Sequence, residues 1–340
     1  MTGIEDVRAA AERIAGHVLR TPVIEVSPGV YFKLETLQHS GSFKARGAFN
    51  RLLSGEVPAS GVIAASGGNH GLAVAYAARA LGVRAEIFVP EVASPVKVAG
   101  LRALGAEITQ IGSIYAEAAE AAAKRAGETG AMMVHAYNQP EVLAGQGTVG
   151  LEIMEQTGGV DTIIVAVGGG GLIAGVTIGA GAAGAGGSGS TGGHGVDGHS
   201  GSGIGSASGG GAGGSGKVRI IAVEPELCPT LNAAFAAGRP VHVDVSGVAS
   251  DALGASQLGE LAYDILSPAD VTSLLVTDEA IVDARHALWD EYRVPTEHAG
   301  AAAYAALLSG VYTPAPGERV AVIVCGSNTD PTTLTRLNMA

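Results

Sequence analysis

Charge is scarce in this 340-residue chain: Lys, Arg, Asp and Glu together supply 15% of it. The basic residues are the scarcer sign, 20 against 32 acidic ones, for a net charge of −12. An acidic surface gains nothing from counterion release, so neither nucleic acid nor an anionic membrane is expected as a partner. Aromatic residues reach only 4%, with a single Trp. Two cysteines occur, Cys228 and Cys325, neither in a metal-ligand spacing. That usage fits a reducing, cytoplasmic setting. Long apolar runs are missing too, since none reaches membrane-spanning length without turn residues. Glu5, Arg8, Glu12 and Arg13 interrupt the N-terminal stretch, which excludes a secretory signal there. What is abundant is apolar: 47% of the residues are hydrophobic, enough for a large core and incompatible with global disorder. By usual domain sizes the length suggests two domains.

Apolar β-branched runs alternate with alanine-rich helical stretches. Val62 to Ala65 leads into a helix over 71–81, Ala85 to Val89 into one over 94–104, and Ala106 to Ile111 into one over 113–127. Beyond Gln139 come a helix over 147–157, a buried strand over 162–167 and a helix over 171–180. Val218 to Val223 and Arg319 to Val324 read as further buried strands. This βαβα rhythm predicts an α/β fold with parallel sheets covered by helices and a cleft between two such layers. Thr2-Gly3-Ile4-Glu5 reads as a capping box before a first helix with Val7, Ala11 and Ile14 on one face. Residues 181–216 break the rhythm, because half are glycine and only Val196 and Ile204 are sizeable apolar residues. That composition predicts a flexible Gly/Ser-rich insertion dispensable for chemistry, in which His194 and His199 are too isolated to make a metal site.

Three segments carry chemistry. Lys44 sits in Ser40-Gly41-Ser42-Phe43-Lys44-Ala45-Arg46-Gly47-Ala48, between an aromatic and small residues, after the strand-like Val30 to Leu34. Partial burial there lowers an amine's pKa, and a neutral amine attacks a carbonyl to give a Schiff base. Taken alone, Lys44 would be an ordinary surface lysine. The four glycines Gly168 to Gly171 follow a buried strand and open a helix, which aims several backbone N–H groups at one spot suited to phosphate. No Lys-Ser/Thr follows them, Leu172-Ile173 standing there instead, so this is not a Walker loop. Ser66-Gly67-Gly68-Asn69-His70-Gly71 also lies between a strand and a helix, as an ordinary N-cap or as a receptor for a carboxylate or phenolic oxygen. An amine, an anion-binding loop and a phosphate cradle are together the inventory of a pyridoxal phosphate site.

With Tyr137-Asn138-Gln139-Pro140 through Gly145-Gln146-Gly147-Thr148 and Cys325-Gly326-Ser327-Asn328, five ordered motifs resemble the threonine/serine dehydratases of the fold-type II pyridoxal phosphate enzymes, relatives of serine racemase and threonine synthase. The similarity covers nearly the whole chain except the insertion. It implies a small domain over 39–137, a large domain from 1–38 and 138–340, and a homodimer. It also implies that Lys44 carries the cofactor and removes the Cα proton, with Phe43 beside the cofactor ring and Asn69 on its phenolic oxygen. Gly168, Gly169, Gly170, Gly171 and Leu172 would hold the phosphate, itself the candidate proton donor to the leaving hydroxyl. Cys325 would face the pyridine nitrogen, where a thiol makes a tempered electron sink. Ser66, Gly67, Asn69, His70 and Gln146 would surround the substrate carboxylate.

Departures from the family pattern matter as well. Where racemases carry a second serine, this chain has Gly67, so the resemblance implies elimination and poor racemisation. Glu224 matches the family's site for a divalent or monovalent cation, but Thr230 replaces a second carboxylate found in some members, which weakens that expectation. Asp251 and Glu297 match structural acidic positions. With nothing after Ala340, feedback control by an appended module is not expected. The reading is dehydration and deamination of L-threonine or L-serine. A lyase for another β-hydroxy or ring-opened amino acid, a racemase-like enzyme and a non-catalytic cofactor binder stay open as alternatives.

Overall fold

The computed structural model describes residues 2–93, 95–185 and 217–335. The chain begins with α1 (Ile4–Ile14), β1 (Val23–Ser27) and β2 (Val30–Leu34), then two short 3-10 turns and α2 (Lys44–Leu53). Next come β3 (Val62–Ala65), α3 (Asn69–Ala80), β4 (Ala85–Val89), α4 (Pro95–Ala103), β5 (Glu107–Gln110), α5 (Tyr115–Thr129) and β6 (Met132–Met133). The middle holds α6 (Pro140–Thr157), β7 (Thr162–Ala166), α7 (Gly171–Ala185), β8 (Arg219–Pro225) and α8 (Thr230–Ala237). The last part is α9 (Ser250–Leu253), α10 (Glu260–Leu266), β9 (Val271–Val276), α11 (Asp278–Tyr292), α12 (His298–Leu308) and β10 (Val320–Val324).

The strands form two sheets, one in the order β1-β2-β10-β7-β8-β9 and one in the order β5-β4-β3-β6. Every pairing is parallel except that of β1 with β2. The α/β architecture with helix-covered, mostly parallel sheets is therefore the one expected. Strand β10 is central to the larger sheet, with Val322 level with Phe32 on one side and Ile164 on the other. Its five residues are all buried, as a parallel strand covered on both faces requires. Each fully buried Val, Ile, Leu or Phe in that core contributes about 1.5–3 kcal/mol.

Several local expectations need correction. Helix α1 is capped one residue later than read, by the Gly3 N–H donating to Asp6 Oδ2 at 2.8 Å, and it buries Val7, Ala10 and Ile14. Helix α6 starts at Pro140, not Gly147; proline at a first helical position costs nothing, because that N–H has no intrahelical acceptor. Helix α7 continues through Ala185, five residues into the segment read as an insertion. The remainder of that segment, 186–216 with His194 and His199, lies outside the described residues. Helices α6 and α7 cross so closely that a Cβ on Gly175 would strike the Leu143 carbonyl, and one on Gly179 the Gly147 carbonyl. Part of the chain's glycine content thus serves backbone contact between helices.

The catalytically interesting segments all leave the carboxyl ends of parallel strands, where α/β sheets bind ligands. Gly168 to Gly171 follow β7, Cys325 follows β10, Ser66 follows β3, and Lys44 follows β2 through the 3-10 turns. No helix among the described residues is long and apolar enough to cross a membrane.

Candidate active site

Lys44 opens α2, and the turn before it is tied to the end of β10. Phe43 N–H donates to the Cys325 carbonyl at 3.2 Å, and Ser327 N–H to the Gly41 carbonyl at 2.8 Å. Within that turn Ser40 has φ 60, a left-handed conformation unusual for a residue with a Cβ. Its carbonyl is held by Asn328 Nδ2 at 2.8 Å. The amine so placed is partly buried, donates to the Ala136 carbonyl at 2.7 Å and lies 5.2 Å from the centre of the Phe43 ring. Desolvation depresses its pKa from 10.5 to about 8. A thiolate at Cys325 would oppose that, but burial pushes the Cys325 thiol far up, so it stays protonated and uncharged. Lys44 therefore offers a neutral amine far more readily than a free lysine.

The amine opens on a cleft whose walls include Phe43, Asn69, Tyr137, Leu253, Cys325 and the run Gly168 to Leu172. None of the N–H groups from Gly168 to Ile173 has a protein acceptor among the described residues. They form a donor cradle at the positive end of α7. The loop has no room for side chains: a Cβ on Gly169 would collide with the Tyr137 ring, and Gly170, at φ +86, faces Ala262 and Leu258. From behind, Thr230 Oγ1 holds the Gly168 carbonyl at 2.5 Å, and Gly259 N–H holds the Gly169 carbonyl at 3.1 Å.

A second donor cluster begins α3. The N–H groups of Gly67, Asn69, His70 and Gly71 also lack protein acceptors among the described residues, while the Gly68 N–H donates to Ser66 Oγ at 3.1 Å. The Asn69 side chain is clasped from the larger sheet: its Nδ2 donates to Glu297 Oε1 at 2.5 Å, and its Oδ1 accepts from Asn328 Nδ2 at 2.6 Å. The donor cradle, Asn69 from the second donor cluster, an amine of lowered pKa and an uncharged thiol thus border one cleft.

Comparison with known proteins shows the family of the chain. Residues 14–326 match the model of the family described as pyridoxal-phosphate dependent enzyme. The chain belongs to that family. It is 34% identical to an L-threonine ammonia-lyase of Thermotoga maritima, over 99% of this chain and 78% of that protein. It is 33% identical to a phenylserine dehydratase of Ralstonia pickettii, over 98% of this chain and 97% of that one. Its fold superposes on maize serine racemase with a TM-score of 0.84 at 32% identity, covering 98% of this chain and 95% of that one.

The cofactor of this pyridoxal-phosphate enzyme fits the cleft. The open N–H groups of Gly168 to Ile173 suit its phosphate, Lys44 its aldehyde, Phe43 a face of its ring and Cys325 its ring nitrogen. Of the residues read from sequence, Phe43, Lys44, Asn69, Gly168 to Leu172 and Cys325 line one cleft. Ser66 and Gly67 lie in the turn that delivers Asn69. The His70 and Gln146 side chains do not line that cleft. His70 is buried with Nε2 2.9 Å from the Val134 carbonyl, and desolvation together with the Lys44 charge lowers its pKa to about 3, so its ring stays neutral. Gln146 is buried on α6 against Gly47, and neither atom of its amide has a protein partner among the described residues. Glu224 accepts from the N–H groups of Leu231 at 2.7 Å and Asn232 at 2.9 Å, and its carboxyl lies 3.0 Å from the Thr230 hydroxyl oxygen. Its carboxylate caps α8, burial raises its pKa to about 7, and no group of three His, Cys, Asp or Glu suited to a metal occurs among the described residues. Sequence reasoning gave no role to Tyr137 or Asn328, although both lay within motifs it had singled out. Leu253, two residues beyond Asp251, was likewise given no role.

Proposed function

We propose that this enzyme is an ammonia-lyase that dehydrates L-threonine or L-serine, releasing water, ammonia and a 2-oxo acid. The observation that carries the reading is the burial-activated Lys44 amine in one cleft with the N–H cradle of Gly168 to Ile173. The bound cofactor supplies an electron sink for charge developing at the substrate Cα. Lys44 would remove the Cα proton with Nζ, held in position by the Ala136 carbonyl at 2.7 Å. The α3 N–H groups of Gly67, Asn69, His70 and Gly71 receive the substrate carboxylate, His70 acting through its backbone and not its ring. Cys325, a neutral thiol lining the cleft, would supply no charge to hold a ring nitrogen protonated, which would favour prompt departure of the β-hydroxyl.

The test is release of 2-oxo acid from a panel of β-hydroxy amino acids. Turnover of L-threonine or L-serine is expected, and failure with every member would sink the reading. The phenylserine dehydratase likeness supports a second reading, a lyase for a β-hydroxy amino acid with an aromatic side chain. Under it, phenylserine would outpace both smaller substrates.

Elimination should far exceed racemisation. Opposite Lys44 a racemase needs a second proton-transfer group, typically worth about 10²–10⁴-fold in rate, and Gly67 has none. A Cβ on Gly67 would meet nothing closer than Val89 Cγ1 at 3.6 Å, so a serine fits there. Wild-type enzyme given L-serine should form pyruvate with negligible D-serine, and Gly67→Ser should raise the D-serine fraction. Comparable amounts of both products from the wild type would overturn the one-base picture.

A further inference from the structure

Asn69 is held by two residues that no sequence motif assigned to the chemistry, and the polarity of that clasp can be deduced from its far end. The Ser40 carbonyl can only accept a hydrogen bond, so the atom of Asn328 lying 2.8 Å from it is the amide nitrogen. That nitrogen has a second proton, which reaches Asn69 at 2.6 Å; the atom it meets must therefore be Oδ1. The Asn69 nitrogen is then turned to Glu297, 2.5 Å from a carboxylate oxygen that accepts. Both ends agree on one orientation. The reverse would set donor against donor at Asn328 and oxygen against oxygen at Glu297.

We propose that Glu297 and Asn328 are positioning residues that lock the Asn69 amide with its nitrogen toward the cleft, making Asn69 a hydrogen-bond donor to the cofactor's ring oxygen. The proposal rests on reading the cleft as the pyridoxal phosphate site. Of the two protons on Asn69 Nδ2, Glu297 takes one, and the other is left for the cleft that Asn69 borders together with Lys44 and Phe43. A donor there stabilises the ionised ring oxygen, whereas the flipped amide would repel it.

The clasp is built on firm supports. Glu297 precedes α12, its N–H bonded to the Gly326 carbonyl at 3.2 Å. The neighbour of Asn328, Ser327, donates through Oγ to the Thr36 carbonyl at 2.9 Å. Asn69 belongs to α3, beside the four-stranded sheet, while Asn328 follows β10 of the six-stranded sheet. The bonds to Asn69 therefore span the cleft, and the same amide of Asn328 secures the left-handed Ser40 in the turn leading to Lys44.

The test compares holoenzyme carrying E297L, E297Q, N328A or N328D with the wild type. Two properties are read: the absorption spectrum of the bound cofactor, which reports ionisation of its ring oxygen, and the affinity of the apoprotein for pyridoxal phosphate. E297L and N328A should shift absorbance from the visible band to the near-ultraviolet and weaken cofactor binding about tenfold, the worth of one charge-assisted hydrogen bond. E297Q, which keeps a side-chain oxygen to accept from Asn69, should stay near the wild type in both. N328D, which sets an acceptor against Asn69 Oδ1, should be at least as impaired as N328A. Because Asn328 is exposed, its variants give an answer even if E297L does not accumulate as folded protein. Lower thermal stability with unchanged spectrum and affinity in both E297L and N328A would overturn the proposal, as would E297Q as impaired as E297L. A wild type that takes up no pyridoxal phosphate would instead overturn the reading of the cleft itself.

Discussion

Lys44→Met should abolish turnover and at the same time make the apoprotein more stable at neutral pH. The first effect follows from losing the group proposed both to carry the cofactor and to act as the base; the base alone accounts for about 10²–10⁴-fold, so a loss of roughly 10⁴-fold or more is expected. The second follows from the depressed pKa of the amine. Below pH 8 the folded protein carries a protonated, partly buried Lys44 and bears the full cost of desolvating that charge. As pH rises, the folded state releases its proton near pH 8, while the unfolded chain keeps its own until about 10.5. The unfolded state then binds more protons, so wild-type stability climbs across that window. Methionine keeps the aliphatic stem and removes the charge. Its advantage should be about 1–3 kcal/mol at pH 7, allowing for the residual exposure of the side chain, and should fade through pH 8 to 10.5. Denaturant midpoints of the two apoproteins at a series of pH values check this. A gap that does not change with pH would refute the burial-activated amine.

Much of this site was legible because its parts are local. The cradle of Gly168 to Ile173 needs only a strand, four small residues and a helix, and the Asn69 turn needs the same sequence of elements. Such features leave a mark within ten residues. Features made from distant residues leave no mark of which residues meet. Glu297 and Asn328 lie 228 and 259 residues from the Asn69 they orient, and neither spacing carries a periodicity. The edge strands β1 and β9 are only half-buried, so their pattern was too weak to read beside the fully buried β7 and β10 of similar length. The early start of α6 was hidden by Gly145, which looks like a loop residue until the backbone contact it allows with Arg46 is seen. His70 shows the opposite failure. Its place in the motif suggested a side-chain role, whereas the fold turns the ring into the protein and leaves the backbone N–H outward.

The largest expected loss of stability comes from a residue two positions beyond Lys44. Arg46 is fully buried, and its guanidinium is shared between two carboxylates. Its Nε and Nη2 donate to Glu35 at 2.9 and 2.8 Å, and its Nη1 and Nη2 to Glu152 at 2.6 and 2.8 Å. Lys33, also fully buried, completes a balanced set of two cations and two anions by donating to Glu152 at 2.5 Å. Burial alone would raise the pKa of Glu35, but the charge and hydrogen bonds of Arg46 outweigh it and hold the carboxyl below its usual range. The cluster ties the first turn of α2, and with it Lys44, to the segment after β2 and to α6. Arg46→Met removes one cation and strands the Glu35 charge in the interior, which costs about 3–5 kcal/mol and should lower Tm by roughly 5–10 °C. Adding Glu35→Gln to Arg46→Met should recover part of that loss, since the stranded charge is gone and Lys33 still pairs with Glu152. Thermal unfolding of the wild type, both single variants and the double variant measures the coupling between the two residues. Strict additivity, with no recovery in the double variant, would mean that the cost of Arg46→Met lies in lost packing and not in an unpaired carboxylate.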